Sequence, residues 1–566
     1  MFLSKLDEVR NPIIFIALCI IVSSICYGLY SNYIWPAFII AGCFFAIIYF
    51  STNMYFLLVI IIFYIIGVGI NINYYSCNFN ENFNSKVRVV EEKSYYKIVK
   101  CNGKRIYVFD DINMNIGDSG ILKGKFTKEI NYYKGTIGTL DVIKETNLNP
   151  NILGKLYEFR DKIYLKLKDN LGKRRAGLIV SLSFGYSNYL DEEDSNDMRA
   201  LGIVHAISVS GLHVVLIYST LKRLLKEKIA LLGVVLYVIF TGAPFSSIRA
   251  LIMIACLSMS FSFRKKYNAL GGLSLSAIII TLISPYAPFQ IGFQLSFLAT
   301  LGIILFAEKF DKKLYKLPKF LREPLSMSIS AQILTLPIII LAFNEVSITF
   351  LIGNVILVPI LTLLIKLGNA LLLCFFIPPI FDFISFIILN IIDILDYFID
   401  YFYYLPLNVF VTNEWFALIY VCFIIGIYLS MKVNKKFILL PIVANIIFMI
   451  FLYSPIPRVD YYKDGAILIS YKGERVLVSN IRNIDMYKLK RLTLATQGYR
   501  EGKVITLNNN IKFKLKDKNF TFNLDNKHYI INMNGLKNIE RGYDIIDFNS
   551  GDITGFYILD SKILLY

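Results

Sequence analysis

Charged side chains are scarce in this chain: Asp, Glu, Lys and Arg make up 18% of its 566 residues, against about 25% in a typical globular protein. With 56% hydrophobic residues, 44 Phe and 38 Tyr, a soluble fold of this size would have nowhere to put its apolar surface. Histidine is scarcer still, with three in the whole chain, which argues against metal centres built mainly from imidazole. No GxxxxGK[ST] phosphate loop or other ATPase motif is present, so any energy-requiring step must be driven from elsewhere. A cleavable leader is not evident either. The first apolar run, 12–30, lacks a small-residue cleavage site and is followed at once by two more.

What is present is a succession of apolar runs long enough to span a bilayer. Three come first, near 12–30, 34–50 and 54–72. A polar stretch to about 175 follows, then about ten more runs to 453, and a polar tail from 454 to 566. Lys5 and Arg10 predict a cytoplasmic N-terminus. Basic clusters at Lys222/Arg223/Lys226/Lys228, Arg264/Lys265/Lys266, Lys309/Lys312/Lys313/Lys316 and Lys432/Lys435/Lys436 then mark inner loops. The scheme closes with about thirteen spans, an external insert and an external C-terminus. The expected fold class is therefore a polytopic α-helical membrane protein with two small β-rich domains. Topology alone accounts for part of the net charge of +18, so the basic balance is weak support for a nucleic-acid partner.

Within the insert, 73–150, the β-prone segments KVRVV, YYKIV, RIYVF, GILKGKF and TIGTLDVI alternate with NG and GD turns. That spacing predicts a small barrel of the OB type. Residues 151–175 switch to helical periodicity, with Leu153, Leu156, Phe159, Ile163 and Leu167 on one face and Lys155, Lys162, Lys166 and Lys168 on the rest. This basic amphipathic helix is expected to lie on the membrane surface. Six cysteines fall in apolar runs, which leaves Cys77 and Cys101 in the external insert. There they could close a disulfide worth roughly 3 kcal/mol, or remain two unpaired thiols.

Four segments carry polar groups at bilayer depth, where they are costly and therefore candidates for function. GIVHAISVSGLHVV holds His205, Ser208, Ser210 and His213; GAPFSSIRALIM holds Arg249; PFQIGFQLSFLATLGI holds Gln290, Gln294 and Ser296. The fourth, SISAQ to LVPI, holds Gln332, Asn344, Asn354 and the prolines 337 and 359. Taken as one helix, His205 and His213 are about 80° apart. Without a third histidine nearby, they suit interhelical hydrogen bonds or a pore lining better than a metal. Gln294 and Gln332 read as packing polar groups or cargo contacts. Arg249 could meet a phosphate, snorkel to the interface or pair with a neighbour.

In this order the four blocks resemble the ComEC family of DNA-uptake channels. The resemblance rests on His205 with Ser210-Gly211-Leu212-His213, Gly242 with Ser246/Ser247-x-Arg249-Ala250, the block Gly292 to Ala299, and Leu336/Pro337, Phe343, Asn354 and Pro359. It covers about 150–365, and the three leading spans with their external β insert fit the family's layout. The resemblance implies passage of one DNA strand across the bacterial cytoplasmic membrane during natural transformation. It also implies an external DNA receptor and a cytosolic ATP-driven translocase as partners. The boundaries that follow are 1–72 for the leading helices, 73–150 for the barrel, 151–175 for the basic helix, 176–453 for the channel and 454–566 for the tail. No cofactor is expected.

The tail departs from the family, whose members often end in a metallo-β-lactamase-like nuclease. DGAILISYKGERVLVSN resembles that fold's first hairpin, but the tail holds one histidine, His528, and no cysteine. A zinc hydrolase needs at least three protein ligands per ion, so the tail is expected to be a degenerate, non-enzymatic remnant that binds no metal. In IKFKLKDK, residues Lys512, Lys514, Lys516 and Lys518 alternate. They would either track DNA phosphates or guard an edge strand against aggregation. The competing class is a secondary transporter or exporter of another polyanion or lipid. It predicts internal repeats, and none is visible; an intramembrane enzyme on the two histidines lacks an evident acidic partner.

Overall fold

The structure, a computed structural model, describes residues 11–31, 33–76, 79–93, 95–147, 152–203, 205, 210–403, 409–462, 465–479, 486–499, 505–508, 511–516, 519–524, 527–532, 543–548, 554–559 and 562–566. The chain divides into two compact units, Met1–Thr335 with Ser347–Asn408, and Leu336–Val346 with Val409–Tyr566.

The first unit begins with α1 (Pro12–Tyr30), α2 (Ile34–Ser51) and α3 (Met54–Tyr75). Small residues let α1 and α3 approach closely: a Cβ on Gly67 would fall 2.0 Å from the Ser23 hydroxyl. The Asn71 amide donates to Ser24 Oγ across the same contact at 3.0 Å. Association of helices within lipid relies on such close approach and polar bonds, because hydrocarbon gives no hydrophobic drive.

Strands β1 (Asn82–Lys93), β2 (Tyr96–Cys101), β3 (Lys104–Val108), β4 (Ser119–Thr127) and β5 (Thr136–Asn147) form a closed barrel in the order β1-β2-β3-β5-β4. Closure comes from β1 pairing with β4, and β3 runs parallel to β5. Alternation puts Val87, Val89, Val99, Ile106, Val108, Leu122 and Leu140 inside. Cys101 is buried in that core; its expected partner, Cys77, lies outside the described residues. The barrel is anchored on the helix ends, where Tyr74 Oη donates to the Gly135 carbonyl at 2.8 Å. At φ +67°, Gly135 lies directly against the Tyr286 ring, where a Cβ would come within 2.2 Å.

The helix α4 (Ile152–Leu171) is amphipathic, but its apolar face is not free for a membrane surface. Ile163 and Leu167 are fully buried against α5 (Lys173–Phe184), α13 (Phe350–Cys374) and α14 (Pro378–Tyr403). The surface-lying expectation is therefore corrected: periodicity showed the apolar face, and a protein core rather than lipid covers it. Between these come α6 (Glu192–Ala200), α7 (Gly211–Leu224), α8 (Glu227–Phe240), α9 (Phe245–Ser262), α10 (Ala269–Ile283), α11 (Ile291–Lys313) and α12 (Lys319–Phe343).

Among the described residues, ten helices are long and apolar enough to cross a membrane, and the chain is a multi-pass membrane protein. About thirteen were expected. The shortfall lies in α5, α7, α8 and α10, which are 12–15 residues long. At 1.5 Å per residue these reach about 18–22 Å, less than the hydrocarbon thickness of about 30 Å. Hydropathy runs on past helix breaks that the backbone does not.

The second unit holds α15 (Glu414–Lys432) and α16 (Leu440–Leu452), then a two-sheet sandwich. Strands β6 (Glu345–Val346) and β7 (Phe410–Val411) pair with each other. One sheet of the sandwich has the order β11 (Gln497–Tyr499), β10 (Glu474–Ser479), β9 (Ala466–Tyr471), β8 (Arg458–Tyr462), β17 (Gly555–Leu559) and β18 (Lys562–Leu565). The other has the order β12 (Ile505–Asn508), β13 (Ile511–Lys516), β14 (Asn519–Leu524), β15 (Lys527–Asn532) and β16 (Tyr543–Asp547). Val459, Ile467, Ile469 and Phe556 of the first face Phe513, Phe522 and Ile531 of the second. A short helix, α17 (Met486–Leu492), covers the outer face of the first sheet through Leu489. Strand β13 (Ile511–Lys516) carries Lys512, Lys514 and Lys516 at alternate positions and pairs with both β12 and β14. It is an interior strand, which removes the edge-protection reading; Lys518 lies outside the described residues.

Candidate functional site in the membrane core

The segment expected to be one span through His205 and His213 is broken. Helix α7 starts at Gly211 with Ser210 as its N-cap, so the two histidines do not share a helix. Ser208 lies outside the described residues. His213, fully buried, occupies the third position of α7 and reaches back to the cap. Its Nδ1 lies 3.1 Å from both the Ser210 amide nitrogen and Oγ, and its Nε2 lies 2.7 Å from the Leu182 carbonyl of α5. A carbonyl can only accept, so Nε2 carries the proton and Nδ1 accepts from the Ser210 amide. Both ring nitrogens are used: Nδ1 closes the cap of α7, and Nε2 joins α7 to α5.

His213→Ala should therefore act on stability. It strands a buried carbonyl and an amide, at about 1–3 kcal/mol each, so the thermal midpoint of the solubilised protein should fall. An unchanged midpoint would contradict this role.

The start of α7 also bounds the Arg249 site. Arg249 is in the second turn of α9 and is 8% exposed. Its Nε donates to Ser296 Oγ of α11 at 2.9 Å and its Nη1 to Thr300 Oγ1, with the Phe297 ring centroid 6.0 Å away. Thr300 in turn donates to the Ser296 carbonyl at 2.9 Å, the usual i−4 bond of a hydroxyl on a helix. Gly211 lies on the other side, where a Cβ would fall 2.7 Å from Nη2. Two hydroxyls thus orient the guanidinium without neutralising it. Among the described residues no carboxylate pairs with it. A buried, unneutralised cation at membrane depth is costly, and an anion arriving at its free edge would offset that cost.

The other candidates serve the frame. Gln294 donates to the Pro288 carbonyl at 2.8 Å and so caps the turn before α11. Gln290 donates to the Tyr133 carbonyl of the barrel's last loop. Asn354 Nδ2 donates to Ser328 Oγ at 3.1 Å, joining α13 to α12, while its Oδ1 is buried without a partner. Gln332 is a part-buried residue of α12. Lys512, Lys514 and Lys516 belong to the second unit, as does His528, whose Nδ1 lies 2.8 Å from Asn523 Oδ1. Among the described residues, no group of three or more His, Cys, Asp or Glu could hold a metal ion.

Thr300 and Met253, which contacts Arg249 through sulfur at 3.6 Å, were not singled out in the sequence. The spacing of Thr300, one helical turn beyond Ser296, could have flagged it. An ion-pair network was also missed. Arg174 bridges Asp194 at 2.6 Å and Asp396 at 3.0 Å, and Arg175 pairs with Asp393 at 2.5 Å. Burial pushes the Asp194 carboxyl above the usual range, against the opposing hydrogen bonds of Arg174. The signal lay in Asp393, Asp396 and Asp400, which recur at helical spacing along α14.

Comparison with known proteins converges on the same segment. Residues 182–437 match the family described as Competence protein. ComE operon protein 3 of Bacillus subtilis (strain 168) is 29% identical over 227 residues, 38% of this chain and 29% of that protein. An uncharacterized protein of Aquifex aeolicus (strain VF5) is 31% identical over 160 residues, 27% of this chain and 38% of that protein. The matches thus span about a third of each of these two relatives. No solved structure matches. The stretch that holds His213, Arg249, Ser296 and Thr300 lies within residues 182–437, which are similar to the family described as Competence protein.

Proposed function

We propose that this chain is a channel that passes single-stranded DNA across the cytoplasmic membrane of a bacterium during natural transformation. The observation that carries the reading is Arg249: a cation held by neutral hydroxyls inside a competence-type membrane core, with its charge left for an anion. A phosphate backbone needs such a polar route, and broken helices like the one at Ser210 let polar groups line it.

The N-terminus is cytoplasmic in this reading, while the barrel and the C-terminal unit are external. The strand order β1-β2-β3-β5-β4 supports an OB-like identity for the barrel, a fold whose faces bind oligonucleotides. The channel path takes in Arg249, Ser296 and the Ser210–His213 break, with His205, Gln294, Gln332 and Asn354 shaping its walls. The C-terminal sandwich is a remnant of a metallo-β-lactamase-like domain and cuts nothing. DNA would be delivered by an external receptor and drawn in by a cytosolic ATP-driven translocase.

The test is genetic. In a transformable bacterium lacking its own channel, the gene should restore labelled single-stranded DNA in the cytoplasm. Expression in the membrane without any such import would sink the reading.

A further inference from the structure

A second guanidinium is buried in the first unit, well apart in sequence from the Arg249 motif. Arg160 of α4 is 4% exposed. Its guanidinium lies 3.7 Å from the centroid of the Tyr186 ring and 4.6 Å from that of Tyr157. Its Nε is buried with no hydrogen-bond partner. No carboxylate is within ion-pair distance of it among the described residues. The adjacent Asp161 instead accepts from the Tyr189 hydroxyl at 3.4 Å. Burial holds the Arg160 pKa below its ordinary value, only partly countered by Tyr186 and Asp161.

The surroundings place this group at a junction. Gly117, in the barrel loop before β4 with φ +93°, abuts the Tyr157 ring, and a Cβ there would come within 2.3 Å of it. Gly242, in the turn that enters α9 with φ +82°, would bring a Cβ to 3.6 Å from the Tyr157 hydroxyl. Barrel, α4 and the turn leading to the Arg249 helix therefore converge on one tyrosine. An ordinary structural arginine in such a place satisfies its fork on a carboxylate or on carbonyls. Arg160 instead has aromatic rings against its faces, which hold it in place and leave the in-plane N–H edge as the part able to bind. That edge has the geometry for the oxygens of a phosphodiester.

We infer that Arg160 is a second phosphate-binding station of the channel, which holds the DNA backbone where the barrel meets the membrane core. The inference rests on the channel reading and adds a site to it. Aromatic contact fixes the orientation, burial strengthens the electrostatic attraction, and the lack of an ion-paired carboxylate among the described residues leaves the N–H edge for the ligand.

The experiment uses the full chain in nanodiscs of phosphatidylcholine alone, with a fluorescent oligothymidylate titrated over a range of NaCl concentrations. Arg160→Gln should weaken binding on the order of tenfold at low salt. It should also flatten the slope of log affinity against log salt by about 0.7, the value for one phosphate contact on a single strand. Arg160→Lys keeps the charge but not the fork, so it should keep the slope and lose affinity severalfold. If Arg160→Gln does not fold, the lysine variant decides alone, and wild-type affinity there overturns the site. Weaker binding with an unchanged slope in Arg160→Gln marks a structural role and also overturns it. An effect of Arg160→Gln seen only in discs that contain phosphatidylglycerol would assign the site to a lipid headgroup instead. A wild-type chain that binds no oligonucleotide removes the channel reading and this site together, whereas binding that neither variant changes removes the site alone.

Discussion

Replacing Arg249 with alanine is expected to lower single-stranded DNA uptake by at least about tenfold while the protein stays in the membrane. The size follows from the loss of charge-assisted hydrogen bonds, about 1.5–3 kcal/mol each, at a step the strand must pass. Survival of the fold follows from what the side chain leaves behind. Its partners are the hydroxyls of Ser296 and Thr300, and Thr300 keeps its own bond to the Ser296 carbonyl. No buried carboxylate among the described residues is stranded by the change, unlike the loss of one half of an ion pair. Uptake measured alongside the membrane-extracted amount of protein separates the two effects. Normal uptake at normal abundance would remove Arg249 from the DNA path.

The second large effect is steric. A Cβ on Gly302 would lie 2.2 Å from the Ser330 carbonyl oxygen, so α11 and α12 touch backbone to backbone there. Gly302→Val forces the helices apart, and α11 is the helix that presents Ser296 and Thr300 to Arg249. Overpacking of this kind costs about 1–3 kcal/mol or more, and here it also displaces the site. Accumulation of the protein and DNA uptake should both collapse. Gly292, on the same helix, has nothing within 4 Å of its Cβ position, so Gly292→Ala should behave as wild type. Equal behaviour of the two variants would contradict this account of the packing.

Much of this site was readable before any coordinates. Arg249 and Ser296 each stand in a polar block within an apolar run, where a polar residue costs too much to be incidental. That they meet, 47 residues apart, was not readable, because helix pairing is non-local. The break at Ser210 was hidden by the apolar residues around it. Ser210 with His213 three residues later is nonetheless a capping pattern with histidine in place of Glu or Gln, and the structure uses it so. Helix α4 shows the limit of periodicity, which finds an apolar face but not whether lipid or protein covers it. The β13 lysines show the same limit for strands: alternation was visible, but edge or interior position depends on partners elsewhere in the chain. The Arg174–Asp194–Asp396 network was overlooked because its members are far apart in sequence and α14 otherwise reads as a span.

The most direct measurement uses the purified chain in liposomes under an imposed membrane potential, which acts on each backbone charge with about 2.3 kcal/mol per 100 mV and so stands in for the translocase. A labelled single-stranded oligonucleotide should become resistant to external nuclease in liposomes that carry the wild-type chain, and much less so with Arg249→Ala. Protection no greater than in protein-free liposomes, at a potential favouring entry, would contradict a DNA channel.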